Sequence, residues 1–457
     1  MKALWTSAEI AAAVGGTASA DFPVSGVAYD SREVGPGDLF VALTGESTDG
    51  HRFVAQAFRQ GAAGAIVSMP VEGPHILVAD TTAALNALGA ASRARTGARI
   101  IGVTGSVGKT GTKEALFAAL DRAVPGKAHR SVKSYNNHVG VPLSLSRMPA
   151  ETRFGVFEMG MNHAGELDAL TRLVRPHVAL VTAIAPAHSA FFSGEEAIAD
   201  AKGEIFRGLE PGGTAIIPYD SPHRDRLIAA AEPHAAHILT FGRNKGADVR
   251  ANEAVRGIAG TLVNATLPAG QLTFTIGLPG EHWVSNALAV LAAVEAAGGD
   301  LAAAGLALAE MAGLPGRGAR RAIRLADGEA LLIDESYNAN PASMAATIRE
   351  LGQEKATRRI ALLGEMRELG EGSAGYHRAL AQPLIDAGAG PVILVGEGMA
   401  PLAESLAGHA QVEHVPDAAT AQGLLEQMLR PGDAVLVKGS NAIGLARVVQ
   451  ALAGEFA

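Results

Sequence analysis

Short, unbroken apolar runs recur along this chain, each closing on polar residues or glycine and followed by a helical stretch. Residues 100–103 run into Thr104-Gly105, 154–157 close on Glu158, and 178–184 lead to Pro186-Ala187-His188. Further on, 331–333 close on Asp334, 360–363 on Gly364-Glu365, 392–395 on Gly396-Glu397, and 434–437 on Lys438-Gly439-Ser440. A strand that is apolar at every position is buried on both faces, as in a parallel sheet covered by helices. An α/β fold with such sheets is therefore expected. Ligands of open parallel sheets bind beyond the carboxyl ends of the strands. Polar strand ends in two successive regions thus predict a cleft between two α/β domains.

The 457 residues suffice for several domains, and three stretches differ in texture. Residues 1–98 carry short apolar runs (39–43, 65–67, 76–78) broken by Gly, Pro and Asp. Residues 99–312 alternate strand-like runs with alanine-rich helical ones, and 313–457 continue the alternation with a fresh set of strands. Loop-like joins fall near 94–98 and at Gly313-Leu314-Pro315-Gly316-Arg317-Gly318. With no cysteine in the chain, a disulfide scaffold, a thiolate metal site and a cysteine nucleophile are excluded. A formal net charge of −8 argues against a general nucleic-acid or membrane-surface binder, whose footprint would be basic. No uncharged apolar run reaches the roughly 18 residues of a membrane span, and Glu9 interrupts the only apolar patch near the start. A soluble cytoplasmic protein is expected.

The sharpest motif is Gly105-Ser106-Val107-Gly108-Lys109-Thr110, directly after the 100–103 run and before a helical stretch over 112–120. Glycines let backbone N–H groups curl around a polyphosphate, and the following helix adds its positive end. Lysine supplies a point charge for a transferring phosphate, and the threonine hydroxyl suits magnesium. Val103 stands where the longer form of this loop has its first glycine. Glu158 either offers magnesium an oxygen or caps a helix beginning near Asn162. His188, judged from the residues alone, is a packed or loop histidine, because magnesium prefers oxygen. Lys202 lies on the apolar stripe of the helical run 195–209, with Ile198, Ala201 and Ile205. Either it snorkels to solvent along its stem or it is buried for a reason.

Taken together, the motifs resemble those of the Mur ligases, along essentially the whole chain and in the same order. They are Asp30-Ser31-Arg32 with 37–42 and 49–51, the loop 104–110, Tyr135-Asn136-Asn137-His138 leading into 139–142, and 158–166. Residues 201–205, 334–341, 363–370 and Val437-Lys438-Gly439-Ser440 complete the set. The resemblance implies three domains. Residues 1–98 would form a UDP-substrate-binding module, 99–312 a central phosphate-loop ATPase domain, and 313–457 a Rossmann-like domain receiving the incoming amine. It implies that Thr104, Gly105, Ser106, Val107, Gly108, Lys109, Thr110 and Gly111 cradle ATP. His282, Asn286, Arg317 and Asp334 would complete the nucleotide site.

Thr110 and Glu158 would hold one magnesium ion, and His188 with a carbamylated Lys202 a second. Lys109, Lys202 and His188 would form the catalytic set. Ser31 and Arg32 would meet the uridine diphosphate, Asn136 and Asn137 the sugar-peptide, and Tyr337, Asn338 and Ser440 the substrate on the far side. The chain also departs from the family pattern. It reads His282-Trp283-Val284-Ser285-Asn286 where an asparagine usually follows the histidine, Gly111 where Thr or Ser is common, and Asn441 where arginine usually follows Lys438-Gly439-Ser440. Arg367 or Arg447 is then left to meet a dipeptide carboxylate.

The activity the resemblance implies is ATP-dependent amide formation. D-alanyl-D-alanine would be joined to the terminal carboxylate of UDP-N-acetylmuramoyl-tripeptide through an acyl phosphate, in peptidoglycan synthesis. A monomer acting on small molecules, with no nucleic-acid partner, is expected. The alternatives are a sister ligase adding a single amino acid and a non-catalytic ATP-binding module.

Overall fold

The computed structural model describes residues 3–45, 48–186, 192–257 and 260–454. Three main sheets occupy successive stretches of the chain. The first has five short strands in the spatial order Thr17–Ala18, His75–Leu77, Gly64–Val67, Asp38–Val41, Gly26–Ala28, parallel except for the first pair. Its two longer helices start on side chains that satisfy their free N–H groups. Thr6 and Glu9 form a capping box before Ser7–Val14, and Asp80 accepts from two backbone N–H groups at the head of Thr81–Ala94. The acidic residue that interrupts the N-terminal apolar patch therefore serves the capping box, accepting from the backbone N–H of Thr6.

The second sheet has nine strands, and its order sets the site. Arg99–Thr104 lies between Phe154–Glu158 on one side and Val178–Val181 on the other, all parallel. Glu158 is level with Val103, and Thr104 with Val181, so both neighbouring strands end beside the loop that begins at Gly105. Beyond Thr214–Pro218 and His237–Gly242 the sheet departs from the parallel expectation. Val249–Gly257, Gly260–Leu267 and Gly270–Ile276 form an antiparallel meander. Here buried Val263, Ala265, Phe274 and Ile276 alternate with more exposed neighbours, as suits a sheet with one face in water. The buried face packs on helix Glu281–Ala296, whose side chains from Ala287 to Val294 are all buried.

The third sheet runs Ala319–Leu325, Gly328–Glu335, Ala434–Lys438, Arg359–Gly364, Ala389–Val395, Val412–Val415, parallel after one antiparallel edge pair. Among the described residues no helix is long and apolar enough to cross a membrane.

Candidate active site

The loop after Arg99–Thr104 bends through two glycines in the left-handed half of backbone space, Gly105 at φ +149° and Gly108 at φ +84°. Gly108 is also the N-cap of helix Lys109–Ala123. The loop is tied to the adjoining strand end: Ser106 N–H donates to Ala183 O at 2.8 Å, and Ala185 N–H donates to Ser106 Oγ at 3.1 Å. Thr182 Oγ1 donates to Val107 O at 2.5 Å. These bonds hold the curled backbone with its N–H groups at a helix N-terminus, where an anion is favoured. Lys109 Nζ donates to Gly105 O at 2.6 Å, closing the loop on itself. Burial pulls the Lys109 pKa down from its ordinary value, opposed by the charge of Glu158.

Behind the lysine, Thr110 Oγ1 donates to Glu158 Oε2 at 2.9 Å, and Asn136 Nδ2 donates to Glu158 Oε1 at 2.8 Å. Glu158 is almost wholly buried and caps no helix, since the next helix, Glu166–Val174, begins at Gly165 without a side-chain cap. The fully buried Lys113 supports this corner. Its ammonium donates to Lys133 O at 2.5 Å and lies 3.0 Å from Glu114 and 4.0 Å from Glu158. Among the described residues no three His, Asp or Glu side chains converge as a metal cage. One carboxylate and one hydroxyl beside a phosphate loop fit magnesium, which binds few protein oxygens and completes its shell with phosphate and water.

The loop opens into a cavity of about 500 Å³. The first two turns of helix Glu281–Ala296 supply His282, Trp283 and Asn286 to its wall, and the third region adds Arg317, Tyr337, Asn338 and Lys438. Ser134 connects the two sides: its Oγ lies 3.4 Å from Thr110 Oγ1 and accepts from Arg317 at 3.2 Å. The Arg317 guanidinium sits over the Tyr337 ring at 4.3 Å. Lys438, at the end of its buried strand, donates to Asn338 O at 2.9 Å and Glu335 Oε2 at 3.2 Å. Sequence reasoning passed over Lys438 as a site residue, although a lysine closing an apolar strand run was a usable signal. It also missed Ser134 and Lys113, whose roles exist only once the strands are paired.

Of the sequence candidates, Ser106 to Gly111, Asn136, Glu158, His282, Asn286, Arg317, Tyr337 and Asn338 line the cavity. Thr104 and Gly105 form the base of the loop and do not line it. Asp334 is buried and turned to structure, accepting from Gly316 N–H at 2.7 Å and from the Ser336 hydroxyl at 2.7 Å, and so it fixes the loop that carries Arg317. Ser440 accepts from Arg367 N–H at 2.9 Å, and the Arg367 side chain pairs with Glu365. Ser31 is buried and Arg32 exposed in the first region, Arg32 bound by Asp30 at 2.6 Å. Asn137 accepts from Gly140 N–H at 2.9 Å, holding a turn. Lys202 is buried on helix Glu195–Gly203 rather than snorkelling. Burial, and secondarily the charge of Lys109, lower its pKa well below that of a free lysine. His188 lies outside the described residues.

A phosphate loop at the reversal point of one α/β sheet, faced by cations from the strand ends of another, defines a multidomain protein of the phosphate-loop class. Three family descriptions match along it: Mur ligase family, catalytic domain, over residues 23–125; Mur ligase middle domain, over 103–294; and Mur ligase, glutamate ligase domain, over 320–441. The UDP-N-acetylmuramoyl-tripeptide–D-alanyl-D-alanine ligase of Escherichia coli (strain K12) is 35% identical over 438 residues, covering 95% of this chain and 94% of its own. The enzyme of the same name from Bacillus subtilis (strain 168) is 34% identical, with 94% and 93% covered. The chain belongs to the Mur ligase family. Among solved structures, MurF from Acinetobacter baumannii superposes with a TM-score of 0.84 at 32% identity, covering 98% of this chain and 99% of its own. The MurF ligase of Thermotoga maritima in complex with ADP gives 0.77 at 26% identity, with 94% and 98% covered.

Proposed function

We propose that this chain joins D-alanyl-D-alanine to the terminal carboxylate of UDP-N-acetylmuramoyl-tripeptide, with cleavage of ATP to ADP and phosphate, in peptidoglycan synthesis. The observation that carries the reading is the cavity itself, where a phosphate loop meets a hydroxyl–carboxylate pair suited to magnesium and two cations from a second α/β region. Similarity over nearly the full length to ligases of that name supports the same reaction.

A carboxylate does not react with an amine directly, because its leaving group would be oxide. Moving the γ-phosphoryl group of ATP to a carboxylate oxygen gives an acyl phosphate and ADP. The dipeptide amine then attacks the acyl carbon, the C–O bond to phosphate breaks, and the amine proton is released. The protein's task is to position two anions and offset their repulsion. Lys109, at the head of its helix, places a positive charge at the transferring phosphate. Magnesium held by Thr110 and Glu158 would supply further charge neutralisation, and Asn136 orients the carboxylate that holds it. Arg317 and Lys438 bring positive charge from the opposite wall.

Lys202 and His188 are assigned to a second magnesium site, with Lys202 carbamylated. What supports the carbamate is the environment: a buried amine shifted toward its uncharged form is the form that adds carbon dioxide, and the product is an oxygen ligand. Ser31 and the exposed guanidinium of Arg32 are assigned to the uridine diphosphate, and Asn136 and Asn137 to the sugar-peptide. Tyr337, Asn338 and Ser440 are assigned to the incoming substrate. Domain limits at 1–98, 99–312 and 313–457 follow the succession of the three sheets. A cytoplasmic monomer completes the proposal.

Phosphate release from ATP, measured with UDP-N-acetylmuramoyl-tripeptide and magnesium, tests it. Release that depends on D-alanyl-D-alanine is the expected result. Release with a single amino acid instead would move the chain to a sister activity, and silence with every amine would leave a nucleotide-binding module.

A further inference from the structure

Gly111 occupies the first turn of helix Lys109–Ala123, where a glycine weakens the helix relative to alanine. Its backbone is not in the left-handed region, so conformation does not demand a glycine there. Space does. A methyl group at Gly111 would lie 2.8 Å from Trp283 Cη2 and 3.2 Å from Cζ2, inside normal contact. Three residues earlier, a methyl group at Gly108 would lie 3.0 Å from Asn286 Oδ1. Trp283 and Asn286 are themselves three apart, on one face of helix Glu281–Ala296. The two helix heads therefore meet through two glycines, one receiving an amide and the other an indole.

Trp283 is one of two tryptophans in a chain with few aromatics. It is partly buried, it lines the cavity, and its ring centroid lies 5.8 Å from that of His282, tilted by 43°. One edge of the indole is seated on Gly111 while part of the ring remains open to the cavity. A large, rigid aromatic surface held in this way beside a phosphate loop suits a planar heteroaromatic base, which stacks on such surfaces with little ordering cost. We propose that Trp283, seated on Gly111, is the wall on which the nucleotide base stacks, and that the Gly111–Trp283 pair sets base affinity. The proposal rests on the nucleotide reading of this cavity.

The test separates base from phosphate. Binding of MgATP and of magnesium tripolyphosphate to the full-length protein is measured by calorimetry for the parent, Trp283→Ala, Trp283→Phe, Gly111→Ser and Gly111→Ser/Trp283→Ala. Trp283→Ala should weaken ATP about tenfold and tripolyphosphate less than about twofold, while Trp283→Phe keeps ATP within about threefold. Gly111→Ser should weaken ATP in the parent but add no loss on the Trp283→Ala background. In parallel, ATP should quench tryptophan emission in the parent and not in Trp283→Phe. The remaining tryptophan, Trp5, is buried in the first region against Arg95 and reports no change. Equal losses for ATP and tripolyphosphate, or unchanged ATP affinity in Trp283→Ala, would overturn the proposal. A parent protein that binds neither probe would overturn the nucleotide reading itself.

Discussion

Replacing Gly105 by alanine should disable the enzyme while leaving it folded. At φ +149° the residue sits where an L side chain is strained, at a cost of about 1–2 kcal/mol. The added methyl group would also overlap Thr182 Oγ1 and lie 3.1 Å from Ala183 N. The hydroxyl is not free to turn aside, because it donates to Val107 O at 2.5 Å and lies 3.2 Å from Thr104 O. Relief therefore requires the loop to move by about 1.5 Å before the methyl group and the hydroxyl reach ordinary contact. A displacement of that size at a phosphate cradle costs about 10²-fold in rate, and the backbone strain brings the expected fall in kcat/KM to about 10²–10³-fold. The assay is ADP formation with each of the three substrates saturating and limiting in turn, alongside thermal unfolding followed by circular dichroism. Adding Thr182→Ala removes the main overlap but not the strain, so the double variant should recover about tenfold. A Gly105→Ala protein within threefold of its parent would refute the view that loop position is set by these contacts.

Other consequences are as direct. Lys109→Ala should lower turnover by at least about 10³-fold, with an unchanged circular dichroism spectrum. Lys202→Ala should be severely impaired and partly rescued by an added short-chain carboxylate; full activity without rescue would dismiss the carbamate. His129 donates from Nε2 to Ser144 O at 2.8 Å, and its pKa is pushed down to about 4 by burial, with Arg130 and Arg147 nearby. Because this lies below the ordinary value of about 6.5, its contribution to stability is complete above pH 6.5 and is lost as pH falls toward 4. His129→Gln should remove about 2 kcal/mol of that pH dependence, read from urea unfolding at pH 7 and pH 4.5.

Much of the site is written in local pattern. The phosphate loop, the strand before it and the glutamate closing a neighbouring strand could all be found by asking where apolar runs end. The apolar stripe correctly marked Lys202 as unusual, although only packing shows that its stem stays inside rather than reaching solvent. What the pattern did not carry is pairing. The meander from Val249 to Ile276 alternates in polarity and does not stand out as buried parallel strands do. Asp334 closes a strand just as Glu158 does, yet its carboxylate is consumed by Gly316 and Ser336, a difference decided by the loop that folds back on it. The fit of Trp283 on Gly111 joins residues far apart in sequence, and no local rule reports it.

The central claim is that this cavity activates a carboxylate by phosphorylation before an amine attacks. Supplying UDP-N-acetylmuramoyl-tripeptide with both oxygens of its terminal carboxylate labelled as oxygen-18, together with ATP and D-alanyl-D-alanine, tests it most directly. The account predicts that the released phosphate carries a single labelled oxygen per turnover, with the other retained in the new amide. Phosphate without label, formed at the rate of amide synthesis, would contradict it.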